Sequence, residues 1–110
     1  EIKGTGFSYP VMQTGIEGHH KDDWQYYLHR DVHGEYSFYG TPFLDVRCTV
    51  DSDNLIIYGH NINGRRYFGY LQNFREETFF KEHSVFSFTP VEGKKQDYHI
   101  VSVLETDKYA

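Results

Sequence analysis

The feature that most narrows the fold is the spacing of apolar runs between Phe43 and Tyr58. Leu44, Val46, Cys48 and Val50 alternate with Asp45, Arg47 and Thr49, the period of two expected of a half-buried strand. Asp51-Ser52-Asp53 supplies turn residues, and Asn54 to Tyr58 follows as a second strand with the continuous apolar run Leu55-Ile56-Ile57-Tyr58. Ten Tyr and nine Phe among 110 residues suit a β-rich body, because aromatic side chains fit pleated, half-buried positions.

The flanks fill in the order of elements. Tyr9-Pro10-Val11-Met12-Gln13 is a short extended segment, since the residue before a proline is pushed toward β. Gly15 to Asp23 is a polar surface loop, and Trp24 to Leu28 is either one helical turn or a strand. After Tyr58 the period changes. Tyr67, Leu71 and Phe74 fall at i, i+4 and i+7, and Phe79 and His83 repeat the spacing after a break around Asn73 to Glu76. This predicts two short helices, with Arg65 and Arg66 at a solvated start and Tyr67, Leu71, Phe74 and Phe79 in the core. Val85, Phe86 and Phe88 form a third strand, Val91 to Lys95 a turn, and Tyr98 to Leu104 a long fourth strand. Closely spaced strands with few helices favour an antiparallel or mixed β-barrel over a doubly wound sheet. No repeat or linker divides residues 1–110.

Charge and composition exclude several classes. The formal net charge is −5, with no basic run, so nucleic acid is not an expected partner, because phosphate binding needs clustered Lys and Arg. No stretch approaches the roughly 20 apolar residues of a membrane span. A single cysteine makes no internal disulfide.

The chemistry centres on Tyr58-Gly59-His60-Asn61, where an apolar strand runs out into a loop. Gly59 lets the backbone pass closely, and His60 projects at the rim of a rigid element. An unperturbed imidazole, with a pKa of roughly 6.5, exchanges a proton near neutral pH, which suits acid/base work. A lone histidine at a strand end is otherwise a weak signal.

The wider segments carry more. Asn54-Leu55-Ile56-Ile57-Tyr58-Gly59-His60-Asn61, then Arg66-Tyr67-Phe68-Gly69-Tyr70-Leu71, then Thr78-Phe79-Phe80-Lys81-Glu82-His83 resemble class B sortases, in which a Tyr-Gly-His-Asn strand end precedes a Phe-Gly-x-Leu helix and a Phe-Phe-x-x-His segment. Tyr9 to Gln13, Tyr27-Leu28, Gly40-Thr41-Pro42-Phe43-Leu44-Asp45 and Tyr98 to Val103 look like further family landmarks in the family's order. The resemblance covers nearly the whole chain. It implies a sortase-like β-barrel and a cysteine transpeptidase without cofactor. A thiolate attacks the scissile carbonyl of a sorting signal, an amine from cell-wall peptide or a pilin resolves the thioester, a histidine handles protons and an arginine serves the oxyanion. His60 matches the family histidine.

The departure from the family is large. Its nucleophile lies downstream of the histidine in a Thr-x-x-Cys-type motif, and its arginine lies further on; nothing after Tyr98-His99-Ile100 matches either. Cys48 precedes His60, shares a strand face with aliphatics and reads as a small buried hydrophobe rather than a nucleophile. Arg47, Arg65 and Arg66 are not read as the missing arginine. The expectation is therefore an N-terminal part of the catalytic domain that is inactive alone. Its membrane anchor would lie upstream and its Cys and Arg downstream, in a parent at the outer face of a Gram-positive-type membrane. Exposed barrel edges in such a part favour strand exchange between copies.

Three softer candidates remain. Leu28 and Trp24 are placed in the substrate groove or in ordinary packing. Asn61 either orients His60 or caps the turn before Asn63-Gly64. His19-His20-Lys21-Asp22-Asp23, with His29 and His33 following, has metal-ligand chemistry but reads as a solvated loop, because metal sites need three or four convergent ligands. Besides the enzyme, a non-catalytic β-barrel that binds peptide at an open sheet edge fits the same strands, and a small metal-dependent barrel using the His-rich loop is a third reading.

Overall fold

The computed structural model describes residues 1–15, 20 and 23–106. Among them lie three two-stranded antiparallel ladders and two short helical segments after the His60 strand, with no closed barrel. No described helix is long and apolar enough to cross a membrane. The chain divides into two compact units, residues 9–69 and residues 1–8 with 70–110.

Residues 9–69 are built around β1 (Phe43–Leu44), which pairs with β2 (Ile57–Tyr58) so that Phe43 faces Tyr58 and Leu44 faces Ile57. On the other edge Met12 bridges Phe43 in parallel, its N–H donating to the Pro42 carbonyl at 3.0 Å while Leu44 N–H donates to the Met12 carbonyl at 2.8 Å. The extended segment expected before Gln13 thus has a partner. Phe43 and Leu44 are each 3% exposed, and Pro42 and Cys48 are buried with them.

The long alternating strand from Phe43 to Val50 does not form. After Leu44 the chain turns: Asp45 Oδ1 accepts the Arg47 N–H at 2.8 Å and the Cys48 N–H donates to the Asp45 carbonyl at 3.0 Å. A short acidic side chain that captures a backbone N–H two residues on competes with the ladder. Val46 and Val50 are consequently exposed. The next strand is correspondingly short: Ile57 and Tyr58 are half-buried rather than central to the core, and Ile56 is exposed. Gln13 ties the turn down, its Nε2 donating to the Cys48 carbonyl at 2.7 Å and to the Asp45 carbonyl at 3.1 Å.

The Asp45 carboxylate also accepts Arg47 Nε at 2.9 Å, Arg47 Nη2 at 2.8 Å and the Tyr58 hydroxyl at 2.8 Å. The Arg47 bonds, then that from Tyr58, hold it well below the usual carboxylate range, and the Tyr58 hydroxyl is correspondingly pushed up. A carboxyl depressed in the folded state stabilises fully above its unfolded value of about 4 and loses that contribution as pH falls below it. The urea midpoint of the wild type should therefore drop on acidification through that window. Asp45→Asn should start lower at neutral pH and lack this part of the acid drop; an unchanged acid profile would count against the assignment.

A hairpin was not anticipated. β3 (Asn61–Ile62) pairs with β4 (Arg66–Tyr67) across a three-residue loop in which Gly64 (φ 82°) and Arg65 (φ 58°) are both left-handed. Arg65 and Arg66 thus form a turn and a strand, not a helix start, and Tyr67 lies outside the helical segment. Tyr67 is stacked on Tyr9 at 5.1 Å. Trp24 to Leu28 resolves as a helical turn, with a 3₁₀ segment at Tyr26–His29.

In residues 1–8 and 70–110, a 3₁₀ segment (Phe68–Arg75, begun in the other unit) leads into α1 (Glu77–Glu82). The two short helices appear where the periodicity placed them. Phe74 is the buried member of the expected apolar set; it meets Phe79 and Phe80 edge-on at 5.1 and 5.9 Å. Leu71 and Phe79 are half-buried. β5 (Val85–Phe88) pairs with β6 (Gln96–His99) from Val85 opposite His99 to Phe88 opposite Gln96, with Phe86 stacked on Tyr98. The fourth strand is thus two residues earlier and shorter than Tyr98 to Leu104. Its partner is only four residues long, and beyond the Ile100 N–H, which donates to the Ser84 carbonyl at 2.7 Å, Val101 and Leu104 are exposed.

Candidate active site around His60

Three local devices place His60 within residues 9–69. β2 ends at Tyr58, whose ring lies 5.2 Å from Phe43 and whose hydroxyl is held by Asp45. Gly59 then passes under Phe68: a Cβ there would lie 2.6 to 2.8 Å from the Phe68 ring, too close without displacement. After His60, its carbonyl accepts the Phe68 N–H at 2.9 Å as the β3–β4 hairpin closes. Strand, glycine and hairpin together fix the backbone that carries the imidazole.

The half-buried ring is anchored at one nitrogen. His60 Nε2 lies 2.8 Å from the Leu28 carbonyl oxygen. A carbonyl only accepts, so Nε2 carries the proton, and in the neutral ring Nδ1 is the nitrogen with the open lone pair. Leu28 and His60 are 32 residues apart in sequence. The Tyr26–His29 turn brings them together, its far side tied by Thr41 N–H to the Tyr27 carbonyl at 3.0 Å and Ser37 N–H to the His29 carbonyl at 2.9 Å.

Of the other expected site residues, Leu28 joins His60, though through its backbone. Trp24 is 47% exposed with its ring 6.1 Å from Tyr58, on the strand that ends at the histidine. Asn61 opens β3 opposite Tyr67, which places it in the hairpin before Asn63-Gly64. His29, named in the sequence only beside the His-rich loop, has its ring centroid 5.5 Å from that of His60; its Nδ1 donates to the Phe38 carbonyl at 3.0 Å. Of the His-rich loop, residues 19, 21 and 22 lie outside the described set, and the His20 ring stacks on Tyr26 at 3.6 Å. Cys48 is buried in the Asp45 turn, its thiol donating to the Asn54 carbonyl at 3.4 Å.

No protein-family model matches the chain. It is 30% identical to sortase B of Staphylococcus aureus over 98 residues, 87% of this chain and 37% of that protein. It is 34% identical to sortase B of Listeria monocytogenes over 89 residues, 79% of this chain and 33% of that protein. The crystal structure of a Streptococcus pyogenes class B sortase involved in pilus biogenesis matches with a TM-score of 0.73 and 34% identity, over 90% of this chain and 52% of that one. The chain thus spans about a third of the length of the curated relatives it matches. In sequence and in fold alike, the chain is related to the class B sortases.

Proposed function

We propose that these residues are the histidine-bearing part of a class B sortase, a cysteine transpeptidase that attaches secreted proteins to an amine at the cell surface. The observation that carries this reading is His60, seated at the end of β2 with Nε2 committed to the Leu28 carbonyl, in a chain whose relatives are sortases. A thiol loses its proton to the His60 imidazole and attacks the scissile carbonyl of a sorting signal. A C–S bond forms, the C–N bond breaks, and the imidazolium returns its proton to the departing amine. An incoming amine then attacks the thioester and gives a proton to the imidazole, the C–S bond breaks as the amide forms, and the imidazolium returns that proton to the thiolate. A pilin amine is one acceptor class, a reading supported by the relative involved in pilus biogenesis, and cell-wall peptide is the other.

His60 is the catalytic residue that these residues supply. The nucleophilic cysteine and the oxyanion arginine come from outside the sequence, because Cys48 is buried and hydrogen-bonded and Arg47 is committed to Asp45. Trp24 and Leu28 line the peptide groove on the His60 side, and Asn61 holds the hairpin that follows it. The parent works at the outer face of a Gram-positive-type membrane. Incubating the product of the whole gene with a sorting-signal peptide and an amine acceptor tests the reading. Cleavage coupled to amide formation is expected; peptide binding without cleavage would instead identify a non-catalytic binding module.

A further inference from the structure

Around the Leu28 carbonyl, the atoms are more crowded than one hydrogen bond requires. Gly40 lies against it with a left-handed backbone (φ 62°) and is buried. A Cβ at Gly40 would fall inside van der Waals contact of the Leu28 and Tyr27 carbonyl oxygens and 2.6 Å from the Leu28 carbonyl carbon. These are backbone atoms, so no rotamer change relieves the overlap. The Leu28 peptide itself would have to move, and it is the group that holds His60 Nε2. The two flanks of Gly40 are pinned, Gly40 N–H to the Ser37 carbonyl at 3.1 Å and Thr41 N–H to the Tyr27 carbonyl at 3.0 Å, so the glycine cannot simply slide away.

We propose that Gly40 is a positioning residue for His60: its missing side chain seats the Leu28 carbonyl against the imidazole, which commits Nε2 as a donor and leaves Nδ1 as the nitrogen that takes up and returns the proton. This rests on His60 being the proton-transfer group. The consequence is directional. An imidazole free to turn presents either nitrogen to a substrate, whereas one held at Nε2 offers a single basic atom at a fixed place, and placement within about 1 Å decides catalytic rates.

Two other histidines supply internal references. His29 and His83 each point Nδ1 at a carbonyl oxygen, of Phe38 at 3.0 Å and Phe79 at 3.2 Å. In their neutral forms these rings carry the proton on Nδ1, the opposite of His60.

The test is imidazole nitrogen NMR on the product of the whole gene in its neutral-histidine range, reading tautomer and solvent exchange of the ring N–H. The wild type should show His60 protonated at Nε2 with a proton protected from exchange, against Nδ1-protonated His29 and His83. An Nδ1-protonated His60, or an Nε2 proton exchanging as freely as in a solvated imidazole, overturns the proposal. Gly40→Ala and Gly40→Asn should both lose the protected Nε2 proton while β5–β6 amides stay unchanged. Asn tolerates a left-handed backbone but keeps a Cβ, so retention of the signal in Gly40→Asn would show that only φ matters and would overturn the seating role. Failure of both variants to fold would assign Gly40 to folding alone and equally overturn it. None of these readouts uses turnover, so they fail separately from the catalytic reading, which fails if His60 is dispensable for transpeptidation.

Discussion

His60→Ala in the product of the whole gene should lower kcat for transpeptidation by about 10² to 10⁴-fold, the usual share of a positioned acid/base group. KM should change little, because in the proposed mechanism the imidazole acts on protons in the transition state rather than on the bound peptide. The substitution removes one hydrogen bond, from Nε2 to the Leu28 carbonyl, with a net contribution of roughly 0.5–1.5 kcal/mol. The fold therefore survives, and a denaturant midpoint measured beside the kinetics separates lost chemistry from lost structure. Unchanged kcat in a folded variant would remove His60 from the mechanism.

Phe43→Ala should cost about 3–5 kcal/mol of stability, as truncations of buried aromatics do. Phe43 is 3% exposed, bridges Met12 on one edge and Tyr58 on the other, and stacks near the Tyr58 ring. Against a typical total of 5–15 kcal/mol, that is a large fraction, and it strikes the strand pair that runs into Gly59 and His60. Phe38→Ala is the control: Phe38 is 66% exposed, and surface truncations stay within about 0.5 kcal/mol. Chemical denaturation of the two variants side by side checks the difference. Equal, small losses would mean that Phe43 is not the keystone of this unit.

Parts of this fold were legible in the sequence. The strand end before His60 was, because Gly59 and the apolar run mark it, and the family was, because the flanking segments carry its motifs. The two short helices were, because Leu71, Phe74 and Phe79 keep helical spacing. The structure departs from the pattern where local hydrogen bonds or turn residues outweigh it. The alternation from Leu44 to Val50 is a strand pattern, but Asp45 binds the Arg47 N–H and turns the chain. The helical period was extended back to Tyr67, although Asn63-Gly64 between short β-forming segments is a hairpin signal, and that signal alone would have found β3–β4. The anchor of His60 is a backbone carbonyl, which no side-chain pattern announces. The sequence places Leu28 in a groove or in ordinary packing and says nothing of its carbonyl, which meets His60 Nε2.

On the proposed function, His60 works with a nucleophile outside these 110 residues. The most direct test is to trap the acyl-enzyme of the whole gene product with a sorting-signal peptide and map the adduct by mass spectrometry, in the wild type and in Cys48→Ser. The account predicts a thioester on a cysteine beyond Ala110, formed equally well by the variant, and no adduct on this chain alone. An adduct on Cys48, lost in Cys48→Ser, would contradict it.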